Sequence, residues 1–233
     1  MNQLFPEPNM TTDYEPGKVW AEDCREYMQR MADDSVSLIL TDPPYFMDGM
    51  DEGWDNEKLR RKVCSNGVVS SLPAGMKFDR NQGTRLQEFL SPVAAEWMRI
   101  IRPGGFVLCF SQNRLVHHAA MAIEAAGFEI RDILAWRYEG QAKAFSQDHF
   151  IAKRNIPARE KKRLLAKLGG RKTPQLKPQC ELMVLGQAPR DGTFVDNWDR
   201  WETGLIDTND PLLDPGRFPG TVVEAPKPKN RHG

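Results

Sequence analysis

Net charge is what this chain most plainly lacks. Lysine plus arginine number 32 and aspartate plus glutamate 32 among 233 residues, so the molecule as a whole has no pull toward polyanions. Any nucleic-acid surface must come from local segregation of charge. Cysteine is scarce: Cys24, Cys64, Cys109 and Cys180 are the four. Without C-x-x-C spacing they argue against a zinc site and a secreted disulfide scaffold, and they fit a reducing cytoplasm. No run approaches the roughly 18 apolar residues of a membrane span, and Met1 to Tyr14 offers no basic segment followed by an apolar core. A soluble, cytoplasmic protein with no membrane partner is expected. His117 and His118 lack a third ligand at metal spacing, so no metal is expected.

What is present is a hydrophobic share of 40%, enough for one sizeable core, or a core with a small insertion, but not for two full domains. The expected organisation is a flexible lead-in over residues 1–16, a core over 17–150, a basic insertion over 151–180, a last core strand with its flanks over 181–206, and an irregular tail over 207–233.

Lys18 to Ala21 predicts a short first strand, and Cys24 to Met31 a helix that ends at Asp33-Asp34. Val36 to Leu40 is a β-branched apolar run stopped by Thr41-Asp42-Pro43-Pro44, as expected of a buried parallel strand with a loop at its carboxyl end. Residues 46–83, rich in Gly, Asp, Asn and Ser, predict a long connection. From Thr84 to Ile101 the apolar residues recur at three and four, predicting a helix that Pro92 bends or restarts and that Pro103-Gly104-Gly105 ends. A strand over Phe106 to Phe110, a helix over Asn113 to Ala126, a strand region over Phe128 to Tyr138 and a strand over Glu181 to Gln187 follow. The βαβα order implies an α/β fold with a mostly parallel, doubly wound sheet.

Open α/β sheets place ligand sites beyond the carboxyl ends of their strands. There, two prolines make Asp42-Pro43-Pro44-Tyr45 a stiff loop able to position small groups. An exocyclic amine such as adenine N6 is a weak nucleophile because its lone pair is delocalised into the ring. Hydrogen bonds from it to an Asp42 carboxylate oxygen and the Pro43 carbonyl would favour a more tetrahedral, more nucleophilic nitrogen. Tyr45 would stack on a base swung out of the duplex. The plainer alternative is a Pro-Pro turn capped by a carboxylate.

The flanks extend the pattern: Glu22-Asp23, then Asp34 to Tyr45 unbroken, then Glu96-Trp97 and the R-x-x-R-P-G-G run Arg99 to Gly105. This stretch resembles the site-specific DNA methyltransferases with a D-P-P-Y signature, in the permuted class whose catalytic half comes first. The likeness is firm over residues 18–140, weaker at Lys177 to Leu182, and fades beyond. It implies a Rossmann-like sheet, S-adenosyl-L-methionine as methyl donor, the N6 amino group of adenine in double-stranded DNA as acceptor, and a place in restriction-modification or phage-borne methylation. Position by position, it gives Asp42, Pro43, Pro44 and Tyr45 the catalytic role. It also places Asp23, Cys24 and Asp42 at the cofactor, with Asp23 accepting a hydrogen bond from the cofactor's adenine amino group. Asp23 reads equally as the N-cap of the helix that starts at Cys24.

One departure matters. The family's Gly-rich F-x-G-x-G loop, which lets backbone approach the cofactor, is not found. The sheet would then be incomplete, and its cofactor site finished by absent residues, by a second polypeptide or second copy of the chain, or by an unrecognised element within 186–233.

Between Lys153 and Lys177 basic residues face the single acid Glu160. This is a target-recognition insertion in which Lys161, Lys162, Arg163, Arg171 and Lys172 neutralise phosphates, or else a solvated basic helix. Trp54, Trp198 and Trp201 are candidates for stacking on DNA or for ordinary packing. Competing readings are a cytosine-N4 DNA methyltransferase, whose related loops more often begin with Ser, RNA or protein amide methylation, with loops that more usually begin with Asn, and a catalytically silent DNA-binding fragment lacking the cofactor half.

Overall fold

The computed structural model describes residues 17, 19–45, 80–138, 140, 144–209 and 218–224. The chain divides into two compact units, one of Met1–Ala135 with Leu182–Val223, the other of Trp136–Glu181 with Glu224–Gly233. The sequence expectation had placed the insertion at 151–180.

In the first unit, helix α1 (Cys24–Gln29) leads into strand β1 (Val36–Thr41), and helix α2 (Gln82–Ile100) delivers the chain to strand β2 (Ile101–Ser111). Strand β1 runs parallel to β2, with Ile39 opposite Val107 and Thr41 opposite Cys109. Helix α3 (Val116–Ala125) and strands β3 (Glu129–Arg137), β4 (Cys180–Gln187) and β5 (Val222–Glu224) complete a five-stranded sheet ordered β1-β2-β4-β3-β5. Strand β4 lies antiparallel to β2. The α/β class expected from the sequence is the class observed, and its parallel βαβ unit is β1-α2-β2.

The core follows from periodicity. On α2 the residues Leu86, Leu90, Val93, Ala94, Trp97 and Ile100 are buried, one stripe at helical spacing. They pack with Ala119, Ala122 and Ile123 of α3 and with Val107, Cys109 and Val184 of the sheet. Pro92 sits exposed inside α2 without ending it, because buried positions on both sides hold the helix to the core. Arg99 fixes the chain entering β1: its guanidinium donates to the Met28 carbonyl at 2.6 Å and the Met31 carbonyl at 2.8 Å. It also pairs with Asp33 and Glu96 at 2.6 and 2.9 Å. At β1 alternate residues face opposite sides, so Ile39 joins the core while Leu38 and Leu40 are 61% and 63% exposed. Among the described residues β1 is an edge strand.

Three expectations need correction. Residues 19–21 form no strand, and Val19 is 92% exposed; a three-residue run gains nothing from extension without a neighbour to pair with. The fifth strand comes instead from the tail, where Val222–Glu224 lies beside β3 and the Ala135 amide donates to the Thr221 carbonyl at 2.8 Å. Pro103-Gly104-Gly105 does not end the helix, which stops at Ile100; it lies within β2, where the register with β1 shifts between Val36 and Leu38. Gly104 has φ +77°, and a Cβ there would lie 2.5 Å from the Asn197 amide nitrogen. Glycine is required by a close contact rather than by a cap.

That contact comes from helix α6 (Phe194–Trp201), given the chain-order labels α4 (Asp148–Ala152) and α5 (Ala158–Leu168) for the helices before it. Asn197, fully buried, donates to the Pro103 and Thr203 carbonyls at 3.1 and 3.0 Å and accepts from the Asp191 amide at 2.8 Å. Gln187 donates to the Gly104 carbonyl at 3.0 Å.

In the second unit, α4 and α5 are joined by a hydrogen bond from the Lys161 ammonium to the Ala152 carbonyl at 2.8 Å. Helix α5 buries none of its residues. Thr173 donates its amide to the Phe145 carbonyl and accepts from the Phe145 amide on its hydroxyl, both at 2.9 Å.

Candidate active site

The Asp42-Pro43-Pro44-Tyr45 loop begins immediately after β1, at the strand's carboxyl end. Its start is fixed by the ladder, since Thr41 pairs in register with Cys109 of β2. Its middle is fixed covalently, because each proline ring locks φ near −65°. Its end is held by Gln112, just beyond β2, whose side-chain amide donates to the Tyr45 carbonyl at 2.8 Å. The same amide accepts from the Arg114 guanidinium at 3.3 Å. Asp42 is exposed and Tyr45 half-buried, the arrangement needed for a carboxylate to meet a ligand while a ring forms a wall beside it.

Cys109, fully buried behind the loop, has its thiol pushed up to about 12, by burial first and then by the Asp42 charge. At neutral pH it is a neutral, small apolar side chain under the loop.

Asp23 is the N-cap of α1, as the second of its two sequence readings had it. Its carboxylate accepts from the Arg25 amide at 2.9 Å and from the Arg25 guanidinium at 2.5 Å. The Arg25 hydrogen bonds hold its carboxyl down to about 2. Cys24 is the exposed first residue of α1. A cofactor's amino group at Asp23 would share the carboxylate with Arg25.

Lys161, Lys162 and Arg163 lie on α5, and Arg171 and Lys172 follow its end, all in the second unit. Only part of this charge is uncommitted. Arg163 pairs with Glu160, Lys161 donates to Ala152, and Arg171 donates to the Lys167 carbonyl at 2.6 Å. Of the tryptophans, Trp198 is 44% exposed and Trp201 donates to Asp191 at 3.3 Å; Trp54, like most of the 46–83 connection, lies outside the described residues. No group of three His, Cys, Asp or Glu side chains among the described residues could hold a metal, and no helix there is long and apolar enough to cross a membrane.

Gln112 escaped the sequence reading. Nothing in its spacing marks it; the only available signal was its place just after a predicted parallel strand, where the sheet brings it beside the end of β1.

A protein family described as DNA methylase matches residues 36–159, more than half the chain. Among curated proteins, the Type II methyltransferase M.HindIII of Haemophilus influenzae is 23% identical over 204 residues, covering 78% of this chain and 62% of the relative. The Type II methyltransferase M2.MboI of Moraxella bovis is 21% identical over 144 residues, covering 61% of this chain and 49% of the relative. The chain thus spans less than two thirds of the length of either. Among solved structures, the PvuII DNA methyltransferase (cytosine-N4-specific) aligns with a TM-score of 0.45 at 10% identity, covering 88% of this chain and 55% of that one. A DNA modification methylase of Thermus thermophilus, assigned as such only provisionally, aligns at 0.43 and 15% identity, covering 87% and 65%. Likenesses this loose carry nothing about chemistry.

Proposed function

The chain belongs to the DNA methylase family, and from that membership we propose that it is an S-adenosyl-L-methionine-dependent methyltransferase acting on the N6 amino group of adenine in double-stranded DNA. The observation that carries the reading is the stiff Asp42–Tyr45 loop at the carboxyl end of β1, anchored at both ends.

The target adenine, turned out of the duplex, stacks on Tyr45 and donates its two amino hydrogens to an Asp42 carboxylate oxygen and the Pro43 carbonyl. Both acceptors draw the nitrogen lone pair out of conjugation, so the amine presents it to an electrophile. S-adenosyl-L-methionine would supply that electrophile as a sulfonium-bound methyl group, its S–CH3 bond breaking as the N–CH3 bond forms, with the neutral thioether leaving and one amino proton passing to solvent. Extrusion of the base costs about a few kcal/mol, offset by stacking on Tyr45. Asp42 rather than Ser at the loop's start favours adenine over cytosine N4.

No Gly-rich F-x-G-x-G loop is found in the sequence. Gly104 and Gly105 lie in the first half of β2 and Gly186 opposite Val107 at its middle, and Asp23 is engaged by Arg25. In this reading the cofactor site is completed by absent residues, by a second polypeptide or second copy, or by an unrecognised element within 186–233. The edge position of β1 and the exposed Leu38 and Leu40 support such an addition beside the loop. Titration of the chain with S-adenosyl-L-methionine tests this, since ordinary affinity would exclude absent residues and a second polypeptide and leave an element within the chain or a second copy of it. In the same reading Lys161, Lys162, Arg163, Arg171 and Lys172 approach DNA phosphates, and the protein works in the cytoplasm as part of a restriction-modification or phage-borne system.

The test is transfer of a labelled methyl group from S-adenosyl-L-methionine to unmodified DNA, expected in the parent and lost in Asp42→Ala. Transfer at the parental rate in the variant would remove Asp42 from the chemistry.

A further inference from the structure

We infer that Gln112 is a positioning residue that sets the geometry of the Asp42–Tyr45 loop through the Tyr45 carbonyl. The inference rests on the reading of that loop as catalytic, and the experiment keeps the two apart.

The chemistry of the loop leaves few ways to hold it. Pro43 and Pro44 have no backbone N–H, so half of the four residues cannot donate to any neighbour. The Asp42 carboxylate and the Pro43 carbonyl are the acceptors that the proposed substrate amine needs, so neither is available as an anchor. The Tyr45 carbonyl carries neither demand, and Gln112 Nε2 donates to it at 2.8 Å. The Gln112 amide cannot be turned over without loss. Its Oε1 accepts from Arg114 at 3.3 Å, and a flipped amide would set oxygen against the Tyr45 carbonyl and NH₂ against the guanidinium. Arg114 therefore fixes the amide, the amide fixes the carbonyl, and the carbonyl fixes the far end of the loop.

Loss of the Gln112 bond would loosen the Tyr45 carbonyl at the far end of the loop. Small displacements of a positioning group cost large rate factors.

The test reads the carbonyl directly. The chain has 4 tyrosines, and only Tyr45 is followed by phenylalanine. Protein labelled with ¹³C at tyrosine carbonyls and ¹⁵N in phenylalanine thus gives one carbonyl–amide cross-peak, from Tyr45 and Phe46. In Gln112→Glu, the same size but without a donor, the Tyr45 carbonyl resonance moves upfield while the other tyrosine carbonyls stay in place. In Gln112→Lys, whose ammonium can still donate, it stays close to the parent. An unmoved Tyr45 resonance in Gln112→Glu, equal movement in both variants, or movement of all four tyrosine carbonyls would each overturn the inference. In methyl transfer, Gln112→Glu lowers kcat on the order of tenfold with KM for S-adenosyl-L-methionine unchanged; a change confined to KM would also overturn it. If Asp42→Ala transfers methyl groups at the parental rate, the catalytic reading fails and the resonance result stands untouched.

Discussion

Thr41 and Cys109 are partners across the parallel β1–β2 ladder, and this pairing sets the buried Cys109 thiol within the field of Asp42. Burial first, and that negative charge second, push the thiol up to about 12. Only the thiolate attacks alkylating agents, so at pH 8 Cys109 should resist iodoacetamide in the native protein, whereas the exposed Cys24 is modified. Peptide mass mapping reads both. Labelling of Cys109 at the rate of Cys24 would contradict the burial and the charge together.

Asn197 ties α6 to the Pro103-Gly104 bend by donating to the carbonyls of Pro103 and Thr203. Asn197→Ala leaves the buried Thr203 carbonyl and the half-buried Pro103 carbonyl and Asp191 amide without this partner, although the Thr203 hydroxyl still donates to Pro103. A loss of about 3 kcal/mol is expected, or roughly a 10 °C fall in Tm. A change under about 0.5 kcal/mol in denaturant unfolding would show that the knot is replaceable.

His118 packs against Gly83, where an added Cβ would meet its imidazole at 2.0 Å. Burial, then the neighbouring His117, lower its pKa from the ordinary value. The folded pKa lies below the unfolded one, so the unfolded chain binds the proton more tightly. The stabilisation is whole above pH of about 6.5, and declines as pH falls below that value until the folded pKa is passed. Urea midpoints at pH 7.5 and 5.5 should differ more in the parent than in His118→Gln. An equal difference in both proteins would assign the pH dependence elsewhere.

On α5, replacing Lys161, Lys162 and Arg163 with alanine should weaken DNA binding and flatten its dependence on salt. Each lost phosphate contact reduces the slope of log K against log salt by about 0.9. Because Arg163 pairs with Glu160 and Lys161 with Ala152, the triple variant should lose between one and three such contacts. An unchanged slope would return α5 to a solvated basic helix.

The parts legible in the sequence were those with local causes. The run Val36 to Leu40 is β-branched and ends at a double proline, so strand and loop could be read from ten adjacent residues. The stripe on α2 declared itself by its period even across Pro92. What escaped depends on distant partners. Val222–Glu224 becomes a strand only because β3 offers an edge, and Gly104 was read as a helix stop because a glycine signals a break without saying which kind. The reason for that glycine, Asn197, lies more than ninety positions away. Gln112 meets Tyr45 across 67 positions, a contact fixed by strand register and invisible to spacing. For Asp23 the sequence offered two roles, and the structure shows the cap.

The most direct test of the central claim is nucleoside mass spectrometry of unmodified DNA incubated with S-adenosyl-L-methionine and the purified protein, joined by a completing polypeptide where cofactor titration requires one. N6-methyladenine is the expected product, lost in Asp42→Ala. N4-methylcytosine as the product, or N6-methyladenine formed equally well by Asp42→Ala, would contradict that claim.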